Sequence, residues 1–561
     1  VGLISQCVLG GAGRGDGAGG RQHVQHDDPA LALKTRATAV FGDARGPLAN
    51  SLSAVRVERE APEKDCDVTM AAQRSTQRRR WWILGLAVVL VVGASGSWGL
   101  WRHFHQGQFN QGQRMSIPGT ASSPVVPLPT PPIWEARAGG PPFVTSVSPD
   151  RRYFLDQYGS PVLLQGDSPW ALMTRLSPQQ ARLWFADRGR QGFNAAIVSL
   201  IGAIGNGAPS DDGATFDGLL PFVNGDILQW QEPYWERVTA YLQIAADHGI
   251  TVMLYPIDGW TIGNSFVPGS IEQCQRYGGM VAQRFRDLPN IVWMSGGDYA
   301  SASEDPARGS DADLCIDAMM RGIREAGDGR LFTMQLNPQS ISTQDPYWAQ
   351  RVDWNFVYTY HPTYEAMLDA YRRQPTIPAV LGEANYEGEN NHPQTPPTTD
   401  ETLRRQVLWA LTSGAAGEFV GSDDWEFHDG WEQRLSTRAL TQIAQLRALF
   451  STLEWWRLVP DTANELVTAG RGTELTTDEA KDVLENDYVT AARTPDGDLA
   501  AIYLPTQRTI SVNISAMAPG ARAAWIDPTS GERNPVPMSA TFTTPGPNAD
   551  GRNDWLLVLT S

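Results

Sequence analysis

The sequence predicts an α/β protein: a (β/α)8 TIM barrel followed by a small all-β sandwich domain and preceded by a transmembrane anchor. Three observations predict it. Short β-branched apolar runs alternate with longer amphipathic ones from about residue 153, which is the signature of parallel β/α units. Nearly every such run starts apolar and ends in polar residues, as barrel enzymes that work at the carboxyl ends of their strands require. The last hundred residues change to alternating strands with DG and SG turns, which suit a sandwich.

Residues 1–69 are rich in Gly, Ala, Arg and Asp and show no sustained apolar period, so they read as disordered or as leader translated from a misplaced start. MAAQRSTQRRR then opens a 70–104 segment in which Trp81 to Trp101 carries no charge and is long enough to cross a bilayer. Arg78, Arg79 and Arg80 before it direct the amino terminus to the cytosol and the bulk of the chain outside. The competing reading is a cleaved signal, because Gly93 to Ser97 are small; either way the rest is exported. Residues 105–142, including SSPVVPLPTPP, read as a Pro-rich linker.

The barrel is expected over 143–460. Its eight candidate strands are PVLLQGD from Pro161, NAAIVSLIG from Asn194, ITVMLYPID from Ile250 and IVWMSGGD from Ile291, then LFTMQLNP from Leu331, WNFVYTYHP from Trp354, PAVLGEANYE from Pro378 and GEFVGSDDW from Gly417. Between them lie helical stretches such as SPQQARLWFADRGRQ and PYWERVTAYLQIAADHG, several opening on Ser, Asp or Pro and closing at Gly. No Gly-rich dinucleotide fingerprint follows a strand, which disfavours an open doubly wound sheet. The sandwich is expected over 461–561.

A net charge of −17 argues against a nucleic-acid partner, since phosphate binding needs a basic surface. Four cysteines are too few for a disulfide scaffold; Cys274 and Cys315 read equally as one disulfide or as two buried thiols. The strand ends bring Asp167, Ser199, Asp258, Asp298, Asn337, His361, Glu383, Asp423 and Asp424 toward one mouth. With eight His in the chain and only His361 at a strand end, a metal hydrolase is disfavoured, and neither a metal nor a cofactor is expected. Cleavage of a glycosidic bond instead needs two carboxyl groups, one protonated and one ionised, among aromatic side chains.

Asp298, behind Ser295, Gly296 and Gly297 on strand four, and Glu383, in LGEANYEG on strand seven, are the expected acid/base and nucleophile. Strands four and seven supply these roles in many retaining barrel glycosidases. Asp167 and Asp258 read as sugar-hydroxyl ligands or as caps of the next turn. Trp170, Trp260 and Trp425 read as sugar platforms or as rim packing. Tyr360 and His361 are expected near the nucleophile or substrate, with Asn385, Tyr386 and Asp424 completing the expected substrate contacts.

These phrases together resemble the apiosidase-like glycoside hydrolases, family 140 and relatives. The resemblance runs in order from about Phe154 through GDSPW, RLSPQQARLWFADRGRQGFN, PYWERV, RFRDLPNIVWMSGGD, GEANYEG and LRRQVLWALTSGAAG. It implies a two-carboxylate enzyme on plant or microbial glycans, often furanosides such as apiose, with the family's catalytic pair falling on Asp298 and Glu383. ENDYVTAARTPDGDLAAIYLP, TISVNI, AAWIDPTSGE and DWLLVLTS resemble the collagen-binding-type β-domain that members carry, here expected to buttress the barrel. Where the family has a Gly-His-Thr-Tyr-Gly type stretch at strand eight, this chain reads GEFVGSDDWEF, so that side of the pocket is expected to be rebuilt.

The expected partner is an oligo- or polysaccharide, apioside or arabinofuranoside, together with the membrane through residues 81–101. A galactofuranosidase and a catalytically silent cell-surface carbohydrate-binding protein are the alternatives. The sequence does not specify the oligomeric state.

Overall fold

The computed structural model describes residues 140–389, 397–474 and 482–561. The expected leader, anchor and almost all of the Pro-rich linker lie outside the described residues. No helix among the described residues is long and apolar enough to cross a membrane.

The described chain begins with a small antiparallel sheet of β1 (Val144–Val147), β2 (Phe154–Asp156) and β3 (Pro161–Val162). This corrects the first expected strand. Pro161–Val162 pairs back on β2, and the barrel begins only at β4 (Leu164–Asp167). After α1 (Leu172–Arg175) and α2 (Pro178–Arg190) come β5 (Ala195–Ser199), the hairpin β6 (Phe222–Val223) with β7 (Asp226–Trp230), and α3 (Glu232–Asp247). Then follow β8 (Thr251–Tyr255), α4 (Ile271–Arg284), β9 (Ile291–Ser295) and α5 (Pro306–Glu325). The second half holds β10 (Phe332–Met334), β11 (Ser340–Ile341), β12 (Asn355–Tyr358), α6 (Thr363–Arg372), β13 (Ala379–Glu383), α7 (Asp400–Leu411), β14 (Gly417–Val420) and α8 (Arg438–Phe450).

The helices start where their capping chemistry sits. Ser177 accepts from the Gln180 backbone and Gln180 answers from its side chain, with Pro178 at the first helical position of α2. Ser270, Thr399 and Thr437 cap α4, α7 and α8 in the same way from one side.

One curled nine-stranded sheet carries the barrel, in the order β10-β9-β8-β5-β4-β14-β13-β12-β11. Eight strands are parallel, and β4 pairs with β14, the first barrel strand with the last. The expected eight-strand pattern is therefore present, but the ladder is not continuous all round. β11 returns antiparallel against β12, between β10 and the rest. The seam is spanned by a side chain: Ser342 Oγ donates to Met334 O at 2.7 Å and accepts from Phe356 N at 2.8 Å.

Period-two alternation sorts the side chains. Ala195, Ile197, Met253, Tyr255, Val292, Met294, Phe356, Tyr358 and Val380 fill the interior, plugged below by Val144, Phe154 and Val162 of the small sheet. Ala196, Val198, Val252, Leu254, Ile291 and Trp293 face outward onto the helices. Cys274 of α4 and Cys315 of α5 form a disulfide, with Cα atoms 5.4 Å apart.

The carboxyl-terminal part contains β15 (Val459–Pro460), β16 (Val467–Ala469), β17 (Thr490–Arg493), β18 (Leu499–Leu504), β19 (Thr509–Val512), β20 (Arg522–Ile526), β21 (Arg533–Val536), β22 (Thr541–Thr543) and β23 (Trp555–Thr560). They form a six-stranded sheet, β15-β17-β18-β23-β20-β21, and a three-stranded sheet, β16-β19-β22. Ala500, Ile502, Leu504, Leu557 and Leu559 of the large sheet pack with Val467, Ile510 and Phe542 of the small one. The alternate residues Ala501, Tyr503, Leu556 and Val558 pack against Leu403, Val407, Trp409 and Ile443 of α7 and α8. The large sheet is thus buried on both faces, and its outer face belongs to the barrel.

Candidate active site

Asp298 stands on a backbone that only this local sequence permits. The β9 ladder ends at Ser295, and the next three residues have φ of +105°, +77° and +47° at Gly296, Gly297 and Asp298. A Cβ at Gly296 would lie 1.8 Å from the Gln335 carbonyl oxygen, so glycine is required there for space as well as for dihedral. The turn delivers Asp298 exposed to solvent. Beyond it, Tyr299 donates to Asp313 Oδ1 at 2.7 Å and Ala302 N to Asp313 Oδ2 at 2.8 Å, which ties the loop to α5.

Glu383 reaches the mouth through a bulge. Val357 pairs with Leu381 but Tyr358 pairs with Glu383, so Gly382 and Glu383 together oppose one residue. Val380 faces inward and Gly382 lies under the Phe356 ring, so strict alternation would turn Glu383 outward; the extra residue returns it to the interior. Only 7 % of Glu383 is exposed. Gln335 Nε2 donates to its Oε2 at 2.8 Å, and Tyr360 OH donates to its Oε1 at 3.2 Å. Tyr360 in turn shares a 2.6 Å hydrogen bond with Tyr358.

Burial pushes the Glu383 carboxyl well above the usual carboxylate range, and the nearby Asp298 charge adds to it; the Tyr358 and Tyr360 hydroxyls pull it back. Asp298 and Glu383 are thus close enough to feel each other. Burial followed by the Glu383 charge likewise raises the Tyr255, Tyr358, Tyr360 and Tyr386 hydroxyls. Glu389, which accepts from Trp425 Nε1 at 2.6 Å, is a further acid in reach of Glu383.

The remaining expected residues divide into groups. Tyr360 touches Glu383, and Asn385 Nδ2 donates to Tyr360 O at 2.8 Å and to Gln406 Oε1 at 2.7 Å, bracing the strand ends. Trp170 donates to Tyr386 OH at 2.9 Å, and its ring lies 5.2 Å from that of Tyr255. Both Trp170 and Tyr386 are buried, so they form the floor of the mouth rather than an open platform. Trp260 and Trp425 are half-buried and flank the turn after β5, with Trp260 over Gly205 and Trp425 beside Gly207. His361 is half-buried at the end of strand six, its backbone N–H donating to Thr359 Oγ1.

Three expected aspartates are committed to protein partners. Asp258 accepts from Ser199 Oγ and Asn206 Nδ2 on Oδ2, both at 2.8 Å, and from the backbone of Trp260 and Thr261 on Oδ1. It is 1 % exposed and fixes two rim loops. Asp167 accepts from Arg188 Nε and from Ser168 N. Asp424 is held by two nitrogens of Arg434. Asp167 and Asp424 line a cleft between α2 and the loop after β14, with Trp184 and Trp431.

Sequence reasoning passed over Gln335, Tyr255 and Tyr358. The signal for Gln335 was available: Phe332 and Met334 of β10 face the helices, so alternation puts Thr333 and Gln335 on the inner face. Among the described residues no cluster of His, Cys, Asp or Glu could hold a metal ion.

The curled parallel sheet with its surrounding helices is built like that of glycoside hydrolases. The catalytic-domain model of the apiosidase-like family matches residues 148–457, and the chain belongs to that family. Residues 475–560 match the model described as "Putative collagen-binding domain of a collagenase". A solved structure described as a glycoside hydrolase is similar in fold, with a TM-score of 0.63 and 20 % identity over 75 % of this chain and 97 % of its own. A glycoside hydrolase family 5 structure from Bacteroides vulgatus ATCC 8482 has a TM-score of 0.64 and 18 % identity over 74 % of this chain and 94 % of its own. No curated protein matches the chain.

Proposed function

We propose that the protein is an O-glycosyl hydrolase in which Asp298 is the acid/base and Glu383 the nucleophile. The observation that carries this reading is the pair itself: a buried carboxyl held by two hydrogen-bond donors and raised by the charge of a nearby solvent-reachable one. Two donors on Glu383 favour its ionised form, as a nucleophile needs, against the burial and the Asp298 charge that hold its proton, while Asp298 can exchange its proton with water between steps.

In the first step the Glu383 carboxylate attacks the anomeric carbon while Asp298 gives its proton to the departing glycosidic oxygen. In the second, Asp298 takes a proton from water, whose oxygen displaces Glu383 from the glycosyl carbon. Family membership and the neutral, aromatic floor of Trp170, Tyr255 and Tyr386 favour an uncharged sugar, and we take a furanoside such as apioside or arabinofuranoside as substrate.

The same reading places the protein outside the cytoplasm, anchored through Trp81–Trp101 or released after cleavage there. The arginines before that run and the Cys274–Cys315 disulfide support it, because disulfides persist in oxidising compartments.

Glycan release by the purified full chain from plant pectin and bacterial arabinogalactan tests the function, with Asp298→Asn and Glu383→Gln alongside. Release by the wild type that both variants lose supports the pair; release that survives in both overturns it.

A further inference from the structure

Gln335 occupies a position that no sequence motif marks, yet it touches both Glu383 and the turn that leads into Asp298. Its backbone lies against the turn that carries Asp298: Gln335 N donates to Ser295 O at 2.8 Å, and its carbonyl occupies the space a Cβ on Gly296 would need. Its side chain points the other way and donates to Glu383 Oε2 at 2.8 Å. The residue is 1 % exposed and the contact is shielded from water.

The orientation of the Gln335 amide is set by a third residue. Tyr255, wholly buried on β8, donates its hydroxyl proton to Gln335 Oε1 at 2.5 Å. A phenol buried here needs an acceptor, and the amide oxygen supplies it, which turns the NH2 end toward Glu383. Tyr255 is itself held by the Trp170 ring, 5.2 Å away, so the chain of contacts is anchored in the floor of the mouth.

We propose that Gln335 is the positioning residue of the carboxylate pair, giving Glu383 a donor through an amide that Tyr255 locks in place, while its backbone sets the turn that carries Asp298. The proposal rests on the hydrolase reading for its catalytic meaning. A Glu383 that faced the amide oxygen would find an acceptor and be favoured as the neutral acid; facing the NH2 it finds a donor that favours the anion against burial and the Asp298 charge. The other groups acting on Glu383 do not set this choice. Asp298, Glu389 and the interior burial oppose ionisation, whereas Tyr358 and Tyr360 favour it from the β12 side. Gln335 is the donor on the opposite oxygen.

The test uses the full chain and four variants: Gln335→Leu, Tyr255→Phe, Glu383→Gln, and Gln335→Leu combined with Glu383→Gln. On whichever of pectin or arabinogalactan the wild type cleaves, Gln335→Leu moves the acid limb of kcat/KM up by about one pH unit, the scale of one lost hydrogen bond to a charged group. Tyr255→Phe, which keeps the ring and frees the amide to turn, moves it the same way by less. A uniform loss of rate with the acid limb unmoved in both variants overturns the proposal.

A second measurement does not need activity. The Tm difference between the wild type and the Glu383→Gln variant, followed against pH with and without the Gln335→Leu change in both, reads the proton affinity of Glu383 directly. The proposal expects the decline of that difference to extend about one pH unit higher in the Gln335→Leu background. A decline ending at the same pH in both backgrounds overturns it. Should neither polysaccharide be cleaved while the thermal shift is seen, the hydrolase reading falls and the positioning of Glu383 by Gln335 stands.

Discussion

Arg404 and Asp554, both with side chains wholly buried, face each other across the junction of barrel and sandwich, Nε to Oδ2 at 3.1 Å and Nη2 to Oδ1 at 3.0 Å. Arg404 sits on α7 and also reaches Gln442 Oε1 of α8 at 2.7 Å, while Asp554 directly precedes β23. A bidentate ion pair in that position ties the two cores into one structure.

Removing Arg404 leaves Asp554 buried without its cation, and removing Asp554 leaves Arg404 with Asp400 Oδ2 at 3.3 Å as its remaining ion partner, so the first loss costs about 3–5 kcal/mol and the second less. Arg404→Met is expected to destabilise the protein by about 3–5 kcal/mol in denaturant unfolding, and Asp554→Leu by less, because Asp400 still faces Arg404. The double variant, with neither charge left, is expected to recover a large part of the loss. Equal additive losses would show that the pair does not bridge the two cores.

Asp167 offers a contrast with the proposed acids Asp298 and Glu383. Its buried bond to Arg188 Nε joins the first barrel strand to α2, and Arg188 continues to Leu435 O at 2.7 Å. Asp167→Asn is expected to lower stability by about 2–4 kcal/mol and to leave KM within about threefold, since a structural charge is lost and no sugar contact is. A KM raised tenfold at unchanged Tm would make it a substrate ligand.

Gly296 has two reasons to be glycine, its φ of +105° and the Gln335 oxygen where a Cβ would go. Gly296→Ala forces the backbone to move under Asp298. The expected result is a loss of about 2–4 kcal/mol in stability and at least a tenfold fall in kcat, measured by thermal unfolding and initial rates.

Glu383 should leave a mark on the pH dependence of stability. Its folded carboxyl holds its proton more tightly than the unfolded one, through burial first and the Asp298 charge second. Relative to Glu383→Gln, the stability it contributes is therefore full below about pH 4.5, near its unfolded value, and is lost as pH rises through the higher folded value. Thermal melts of both proteins from acid to neutral pH measure this; a difference that grows with pH would reverse the assignment.

The Cys274–Cys315 bond closes a loop between residues 41 apart and clamps α4 to α5, whose Asp313 holds the loop after Asp298. Reduction, or the Cys274→Ala and Cys315→Ala pair, is expected to cost about 2–4 kcal/mol, read as a lower denaturation midpoint. An unchanged midpoint would mean the bond adds nothing to the clamp.

Much of this was legible in the residues. The eight parallel strands, their helices and the two-sheet carboxyl-terminal part follow from periodicity, because period two and period 3.6 are imposed by backbone geometry and read directly in apolar spacing. Asp298 and Glu383 could be named because strand ends converge in a barrel whatever the details. The sequence by itself also put Ser295, Gly296 and Gly297 ahead of Asp298 and left the run from Trp81 to Trp101 without a charge.

Tertiary structure decided what each polar residue does. Asp167, Asp258 and Asp298 look alike as strand-end acids, yet Asp167 meets Arg188 from α2, Asp258 is buried against Asn206 from a distant turn, and Asp298 stands exposed. Period two would turn Glu383 outward, and only the bulge against Tyr358 brings it in. Gln335 and Tyr255, far apart in the chain, become partners when β8 and β10 curl into one interior. The reason is physical. Apolar burial depends on spacing along one strand and is written locally, whereas the role of a buried polar group depends on the donor or acceptor that another strand places within about 3 Å of it, and chain closure alone decides that.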